Sequence, residues 1–278
     1  MGPGDVGFAL EITASEGWGF LRRDMERLLS LTPGGSFIAR LGGRRVGLLT
    51  TACHRKYCWI GNVAVLPEFR GKGIGRLLVL SALRHARASG FKRVGLVCRQ
   101  QIAGFYEPLG FSRGQTIIGM AGIPALKNAG KLDPAIKPVS KNLLPQIAQL
   151  DSASCGDRRT PMLASFARDP GHQFLIHLEG GKVDGFIVGK PGTNGMEIGP
   201  WTVRRSENDA ARALLSALIS NLRGPVELYV PTGQRWALGY LRRLGLESSG
   251  RFVEMDIGGR RRPASSVRML ALAGLEKG

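Results

Sequence analysis

A glycine-rich, basic loop between an apolar strand and an amphipathic helix constrains the fold of this chain more than any other segment. The loop is Arg70–Gly75, with the sequence RGKGIG, and it lies between the apolar run 59–65 and a helical pattern over 74–89. Its three glycines let the backbone turn sharply and approach a ligand, and the N–H groups that open the helix point at a bound anion. Lys72 and Arg76 add positive charge. The segment therefore predicts a loop that binds a pyrophosphate.

The spacing of the glycines distinguishes this loop from the commoner phosphate loops. A dinucleotide fingerprint needs G-x-G-x-x-G, whereas the third glycine here comes one residue early, and the chain contains no G-x-x-x-x-G-K-[ST] run. The remaining pattern, [Q/R]-x-x-G-x-[G/A], resembles the acetyl-coenzyme A (acetyl-CoA) loop of the GNAT acetyltransferases. Val63–Gly75 agrees with that pattern at every motif position. A glycine-rich turn without a ligand is the alternative interpretation.

A second motif follows in the order that this family would require. Ala103–Phe111, with the sequence AGFYEPLGF, resembles the family's Y-x-x-x-G-F turn. The resemblance implies that Tyr106 protonates the departing coenzyme A thiolate, since a phenol of pKa about 10 can protonate so weakly basic a leaving group. Alone, Tyr106 would be an ordinary amphipathic residue. The two motifs together imply acetyl-CoA contacts at Val63, Ala64, Val65, Arg70, Gly71, Lys72, Gly73, Ile74, Gly75, Arg76, Ala103 and Phe105.

The second half of the chain repeats the plan of the first. Residues 198–203 match 60–65 at an offset of 138, and 239–246 match 104–111 at an offset of 135. At the first offset, Arg70, Gly73 and Gly75 fall on Asn208, Ala211 and Ala213, and at the second Tyr106 falls on Leu241. The second half therefore resembles a degenerate GNAT-like copy that binds no cofactor.

The length of 278 residues suits two domains of ordinary size. We expect a catalytic GNAT domain at 1–125, a proline-interrupted linker at 126–140, and a degenerate GNAT-like domain at 141–278 that is structural or shapes the acceptor site. The predicted fold class is α/β, with two tandem GNAT-like domains, each a mixed, mostly antiparallel sheet flanked by helices. A strand over 113–121 is expected to close the first sheet.

The resemblance implies direct attack of a primary amine on acetyl-CoA in a ternary complex, with the acceptor a small molecule or a peptide. A backbone N–H near Asn62–Ala64 would polarise the acetyl oxygen. The strand before the loop offers no carboxylate as general base, so Glu16, His54 and a water held by Asn62 remain candidates. Each also has a structural interpretation: a turn residue for Glu16, a hairpin residue for His54 and a strand-edge amide for Asn62.

Four residues are candidates for the acceptor site. Trp18 lies in a glycine-flanked turn where GNAT acceptors usually enter, and Trp59, Trp201 and Asp157 are further candidates. Tryptophan is more often a core residue than a ligand platform.

The net charge and the cysteines limit the other functions that the chain could have. A net charge of +18 attracts anions, which leaves two alternatives to an enzyme: a non-catalytic acyl-CoA sensor and a basic nucleic-acid-associated protein. Cys53 and Cys58 flank a hairpin turn, and two unlinked thiols are favoured over a disulfide. No cysteine or histidine spacing suggests a metal site. The absence of a long apolar run predicts a cytoplasmic protein without a membrane partner.

Overall fold

The computed structural model describes residues 1–125, 133–259 and 266–278. The first half contains four helices and five strands: α1 Val6–Ser15, α2 Arg22–Leu31, β1 Phe37–Leu41, β2 Arg44–Cys53, β3 Tyr57–Val65, α3 Ile74–Ala88, β4 Arg93–Arg99, α4 Ala103–Tyr106 and β5 Ser112–Gly122. The second half contains four helices and seven strands: β6 Ile136–Pro138, α5 Leu144–Cys155, α6 Thr160–Arg168, β7 Gln173–Glu179, β8 Lys182–Gly192, β9 Gly195–Arg204, α7 Asn208–Ile219, β10 Val226–Pro231, α8 Arg235–Arg243, β11 Glu247–Ile257 and β12 Val267–Ala271.

All described strands belong to one mixed, mostly antiparallel sheet. The strand order is β1-β2-β3-β4-β11-β5-β10-β9-β8-β7-β6, with β12 paired to β9. Helices pack on both faces, as the sequence predicts: α3 and α4 share a core with one face of β3, and α1 and α2 share a core with the other. The predicted α/β class, with helices flanking a mostly antiparallel sheet, is confirmed.

The two halves exchange a strand. The strand expected to close the first sheet forms as β5, but it pairs with β11 and β10 of the second half and not with β4. The neighbour of β4 is instead β11, whose Phe252 lies opposite Arg99. Val253 and Met255 of β11 accordingly lie in the hydrophobic core of the first half. The sequence predicts the strand over 113–121, but local periodicity carries no information on which strands become its neighbours.

The segment expected to link the domains is partly a strand. Residues 126–132 lie outside the described residues, whereas Ile136–Pro138 forms β6 and pairs antiparallel with β7. The basic run 260–262 is also outside the described ranges. None of the described helices is long and apolar enough to cross a bilayer.

The hairpin joining β2 and β3 corrects the expectation of two unlinked thiols. Cys53 and Cys58 are directly opposite each other in the strand register, with their Cα atoms 3.9 Å apart, and they form a disulfide. The sequence could place both cysteines beside a turn, but only the pairing register brings their side chains together.

Candidate active site

A β-bulge interrupts β3 at Asn62. Leu48 pairs with Ala64 and Thr50 with Gly61, so two residues of β3 lie opposite the single residue Leu49. Asn62 has a φ of 51°, the one positive φ of a non-glycine residue in the described ranges, and its side-chain amide donates a 3.1 Å hydrogen bond to Thr50 Oγ1. A bulge takes backbone N–H groups out of the ladder, which suits them to polarising a ligand oxygen.

The same position is where β3 and β4 separate. Their parallel register runs from Tyr57 opposite Arg93 to Ile60 opposite Leu96, and β4 then continues to Arg99 with β11 as its paired strand. A wedge therefore opens in the sheet beside the bulge. Because successive residues of a strand point to opposite faces, Ile60 faces α3 and Gly61 faces the α1 and α2 side.

The glycine loop adopts the conformation that its sequence demands. Gly71 and Gly73 have φ values of 75° and 77°, in the left-handed region that favours glycine, and Gly73 immediately precedes α3. A Cβ added at either glycine would meet no atom within 4 Å, so the space in front of both is open. The first N–H groups of α3 have no acceptor inside the helix and face this space. The loop fits a phosphate-bearing ligand.

Charged and apolar side chains surround the loop. Arg70 donates from Nε to the carbonyl of Val65 at 2.9 Å, and the ammonium of Lys72 lies 5.1 Å from the centre of the Phe69 ring. Arg76 is exposed on the first turn of α3. Phe105 packs its ring against Gly75, although 41% of Phe105 is exposed. An exposed aromatic ring beside a cationic loop suits a ligand with both apolar and phosphate parts.

Tyr106 lies on the α3 side of the wedge. Its side chain is buried with Ile60 and Leu96, and its ring packs edge-on against Phe105 and Phe111. Burial, with a smaller contribution from Cys98, raises the pKa of Tyr106 above its ordinary value. Tyr106 therefore remains protonated at neutral pH and can serve as a proton donor. Ala103 is fully buried one turn earlier, on the same short helix.

The connection of the second half that corresponds to the glycine loop is much shorter. Residues 66–73 connect β3 to α3, whereas only 205–207 connect β9 to α7. The counterparts identified by sequence offset, Asn208, Ala211 and Ala213, lie within α7, and the counterpart of Tyr106, Leu241, is a core residue. The second half therefore has a shorter connection at this position, and the glycines of the loop are replaced by other residues.

The acceptor candidates do not converge on one place. Trp201 is fully buried in the core of the second half, with its ring centre 6.2 Å from that of Trp236. Asp157 reaches across to the first half, where its carboxylate accepts hydrogen bonds from the backbone N–H groups of Lys56 and Tyr57 at 3.0 and 3.1 Å. Trp18 is half-buried against α1 and α2, in a turn that contacts the β8–β9 turn through Gly17 and Asn194.

Trp59 is buried beneath a segment that sequence reasoning missed. Residues 272–278, named here the 272–278 segment, cross the α1 and α2 side of the sheet. Trp59 Nε1 donates to the carbonyl of Leu275 at 2.9 Å. A Cβ added at Gly61 would lie 2.3 Å from Cβ of Glu276, so the segment rests directly on β3 beside the bulge. The sequence LAGLEKG carries no motif that predicts such placement; the only local signal is the glycine at 61.

Glu16 and His54, the two side chains named above as possible general bases, lie at opposite ends of the site. The carboxylate of Glu16 forms an ion pair with Arg70, at the far end of β3 from Gly61. His54 Nε2 lies 3.3 Å from the carbonyl oxygen of Lys277, in the β2–β3 turn. Both side chains lie near the site, but Glu16 contacts the glycine loop and His54 contacts the 272–278 segment.

Comparison with known proteins agrees with this geometry. The model of the acetyltransferase (GNAT) family matches residues 9–111, and a second model, described as an acetyltransferase (GNAT) domain, matches 147–271. An uncharacterized N-acetyltransferase of Methanocaldococcus jannaschii is 30% identical over 95 residues, which are 31% of this chain and 42% of the relative. The mycothiol acetyltransferase of Thermobispora bispora is 37% identical over 91 residues, 29% of this chain and 31% of the relative. These matches span less than half of either relative.

Solved structures reproduce the fold over nearly the whole chain. A candidate acetyltransferase of Pyrococcus horikoshii has a TM-score of 0.83 at 19% identity, over 100% of this chain and 94% of that one. A tandem GNAT protein from the clavulanic acid biosynthesis pathway has a TM-score of 0.60 at 17% identity, over 94% and 96%. The two family matches together cover most of the sequence, and each half has the corresponding fold. The chain therefore belongs to the GNAT acetyltransferase family, in its tandem form.

Proposed function

We propose that this protein transfers the acetyl group of acetyl-CoA to a primary amine of a small molecule or peptide. The observation that carries the proposal is the arrangement around the wedge in the first half. An open, left-handed glycine loop lies at one end of β3, a bulge lies in its middle, and a buried phenol lies beside it. This combination provides for anion binding, carbonyl polarisation and proton donation at a single opening in the sheet.

The binding role belongs to the loop and its neighbours. The N–H groups of Gly73, Ile74 and Gly75 and the charges of Arg70, Lys72 and Arg76 would hold the pyrophosphate. Val63, Ala64 and Val65 would offer the edge of β3 to the amide-bearing arm of the ligand, and Ala103 and Phe105 would provide apolar contact. Acetyl-CoA, when bound, supplies an acetyl group activated as a thioester.

The chemical roles belong to the bulge and to Tyr106. Backbone N–H groups near Asn62 would stabilise the negative charge that forms on the acetyl oxygen during attack. Tyr106 would then donate its proton to the sulfur as the carbon–sulfur bond breaks. The raised pKa of Tyr106 keeps the donor protonated over the whole range in which an amine can be neutral. The second half, which has Leu241 where the first has Tyr106 and a shortened connection where the first has the glycine loop, would shape the acceptor side.

Acetyl-CoA binding and amine-dependent thiol release test the proposal. Calorimetry should show binding to the intact protein, and a panel of primary amines should include at least one that accelerates thiol release. Binding without release for any amine favours the acyl-CoA sensor. No acetyl-CoA binding by folded protein contradicts the proposal and favours an anion-binding role for the +18 charge.

Replacing Tyr106 with phenylalanine should lower kcat about 100-fold while leaving the Kd for acetyl-CoA within about 3-fold. The variant removes one proton donor, and general acid catalysis contributes about 10²- to 10⁴-fold; the weakly basic thiolate places the effect at the lower end. The measurement is steady-state thiol release with the best amine of the panel, beside calorimetry.

Tyr240→Phe is the matched control, because Tyr240 lies on α8 of the second half, stacked on Trp236. Its kcat should equal that of the unmodified protein. Equal kcat values for Tyr106→Phe and Tyr240→Phe would remove Tyr106 from the mechanism.

A further inference from the structure

We propose that Glu276 is the general base of this site, accepting the proton of the attacking amine on the face of the sheet opposite Tyr106. The inference rests on the proposed acetyl transfer. It assigns the proton acceptor that β3 does not provide, and it gives the 272–278 segment a role in the chemistry.

The position of Glu276 is the first argument. Its Cα and Cβ would lie 2.6 and 2.3 Å from a Cβ added at Gly61, a contact that any side chain larger than hydrogen would prevent. Gly61 immediately precedes Asn62, where the bulge begins. The 272–278 segment therefore places Cα and Cβ of Glu276 against Gly61, one residue before the backbone groups proposed to bind the acetyl oxygen.

The two faces of the sheet provide the second argument. Ile60 faces Tyr106, and the next residue, Gly61, faces Glu276. The proposed acid and base therefore lie on opposite sides of the wedge. Such an arrangement suits direct transfer, because the amine approaches the acetyl carbon from one side of the sheet and the thiolate departs on the other.

Burial provides the third argument. Glu276 is 4% exposed and Lys277 is 3% exposed, and Lys277 Nζ forms an ion pair with Glu276 Oε1. Taking two charged side chains out of water costs several kcal/mol per ion, and pairing them often does no more than offset that cost. This cost is unexplained if the 272–278 segment only fills space, since apolar residues would fill it without the cost.

A path for the proton completes the arrangement. Glu276 Oε2, Glu197 Oε1 and Lys277 Nζ converge on Gly274, where an added Cβ would lie 2.7, 3.0 and 3.2 Å from them. Glu197 is on β9 of the second half and its side chain is 30% exposed. Burial lowers the pKa of Lys277 to about 7, so its amine can gain and lose a proton near neutral pH. In this arrangement a proton taken up by Glu276 would leave through Lys277 towards Glu197.

The step balances without another reactant. The protonated amine gives one proton to Glu276, its nitrogen lone pair forms the bond to the acetyl carbon, and the carbon–sulfur bond breaks with its electron pair on sulfur. Tyr106 protonates that sulfur. The second proton leaves the nitrogen as the amide forms and restores Tyr106 through solvent, while Glu276 releases its proton through Lys277 and Glu197.

Two amines of different basicity test the role of Glu276. A primary alkylamine is protonated at pH 7 and needs a base, whereas hydroxylamine is already neutral and does not. Glu276→Gln should lower kcat/KM for the alkylamine at least 100-fold at pH 7. The rate with hydroxylamine should stay within about 3-fold, and the alkylamine rate should recover about tenfold per pH unit as the amine is deprotonated.

Three variants serve as comparisons. Glu11→Gln changes an exposed carboxylate on α1 and should alter neither amine's rate. Glu16→Gln tests the rival base, and a selective loss with the alkylamine in that variant alone would overturn the proposal. If Glu276→Gln does not fold because Lys277 is left without its partner, Glu276→Gln with Lys277→Met removes the unpaired charge and carries the same test.

The charges around Glu276 bear on the pH profile. Lys277 interacts with Asp24 and Arg27 on α2, Lys190 on β8 and Glu197 on β9, and Glu197 also interacts with His172. His54 and Arg159 contact the carbonyl oxygens of Lys277 and Gly278 in the same segment. A loss of equal size for both amines would show a structural role and overturn the proposal. If the wild type is active and Glu276→Gln has the same rate with the alkylamine, only the assignment of the base is overturned. If the wild type is folded but inactive with both amines, the proposed function is overturned as well.

Discussion

Replacing Gly73 with glutamate is expected to abolish acetyl-CoA binding, raising Kd about 100-fold or more, which corresponds to about 2.8 kcal/mol. Gly73 has a φ of 77° and lies at the start of α3, with open space in front of it. The new carboxylate would enter the space where the pyrophosphate is proposed to bind, beside the N–H groups that would hold it. A side chain in the left-handed region also costs about 1–2 kcal/mol. Calorimetric titration of acetyl-CoA measures the effect.

Gly90→Glu provides a control at the other end of the same helix. Gly90 has a φ of 82° and no atom within 4 Å of an added Cβ, so the same substitution has a comparable backbone cost there. Both variants should lose similar amounts of stability, and only Gly73→Glu should lose binding. Equal Kd values for the two proteins would show that the loop is a turn without a ligand.

Much of the first half follows from local sequence. The glycine loop was predictable because left-handed backbone and an open helix N-terminus depend on residues within a few positions of one another, as at Gly71 and Gly73. The repeat in the second half was recognisable for the same reason. The second half, however, lacks the loop at this place because only residues 205–207 connect β9 to α7. A comparison of the two halves at a constant sequence offset cannot detect such a deletion.

The remaining features depend on contacts between residues far apart in the chain. Glu276 meets Gly61, and Asp157 meets the β2–β3 turn, although neither contact has a local signature. The disulfide at Cys53 likewise depends on strand register, which hydrophobic alternation alone does not fix to a single residue. Local patterns could therefore indicate the cofactor loop but not the groups proposed to act on the acceptor.

The exchanged strands predict that the two halves do not fold separately. β11 lies between β4 and β5, and β5 lies between β11 and β10. A fragment of residues 1–125 would lose β11, whose Val253 and Met255 lie in the core of the first half. Burial of such side chains contributes about 1.5–3 kcal/mol each, against a total stability of about 5–15 kcal/mol. The isolated fragment should therefore show no cooperative thermal unfolding.

Cleavage of the intact protein gives the complementary result. A protease recognition sequence inserted within 126–132 should allow the chain to be cut, after which both fragments should elute together on gel filtration and bind acetyl-CoA with unchanged Kd. The fragments should stay associated because each supplies a strand that lies between two strands of the other. β11 lies between β4 and β5, and β5 lies between β11 and β10. Separation without denaturant, or a cooperative transition in 1–125 alone, would show that the halves are independent domains. If the two fragments of the cut protein elute together and bind acetyl-CoA, the strand exchange, and not the covalent link, holds the second half against the proposed acetyl-transfer site.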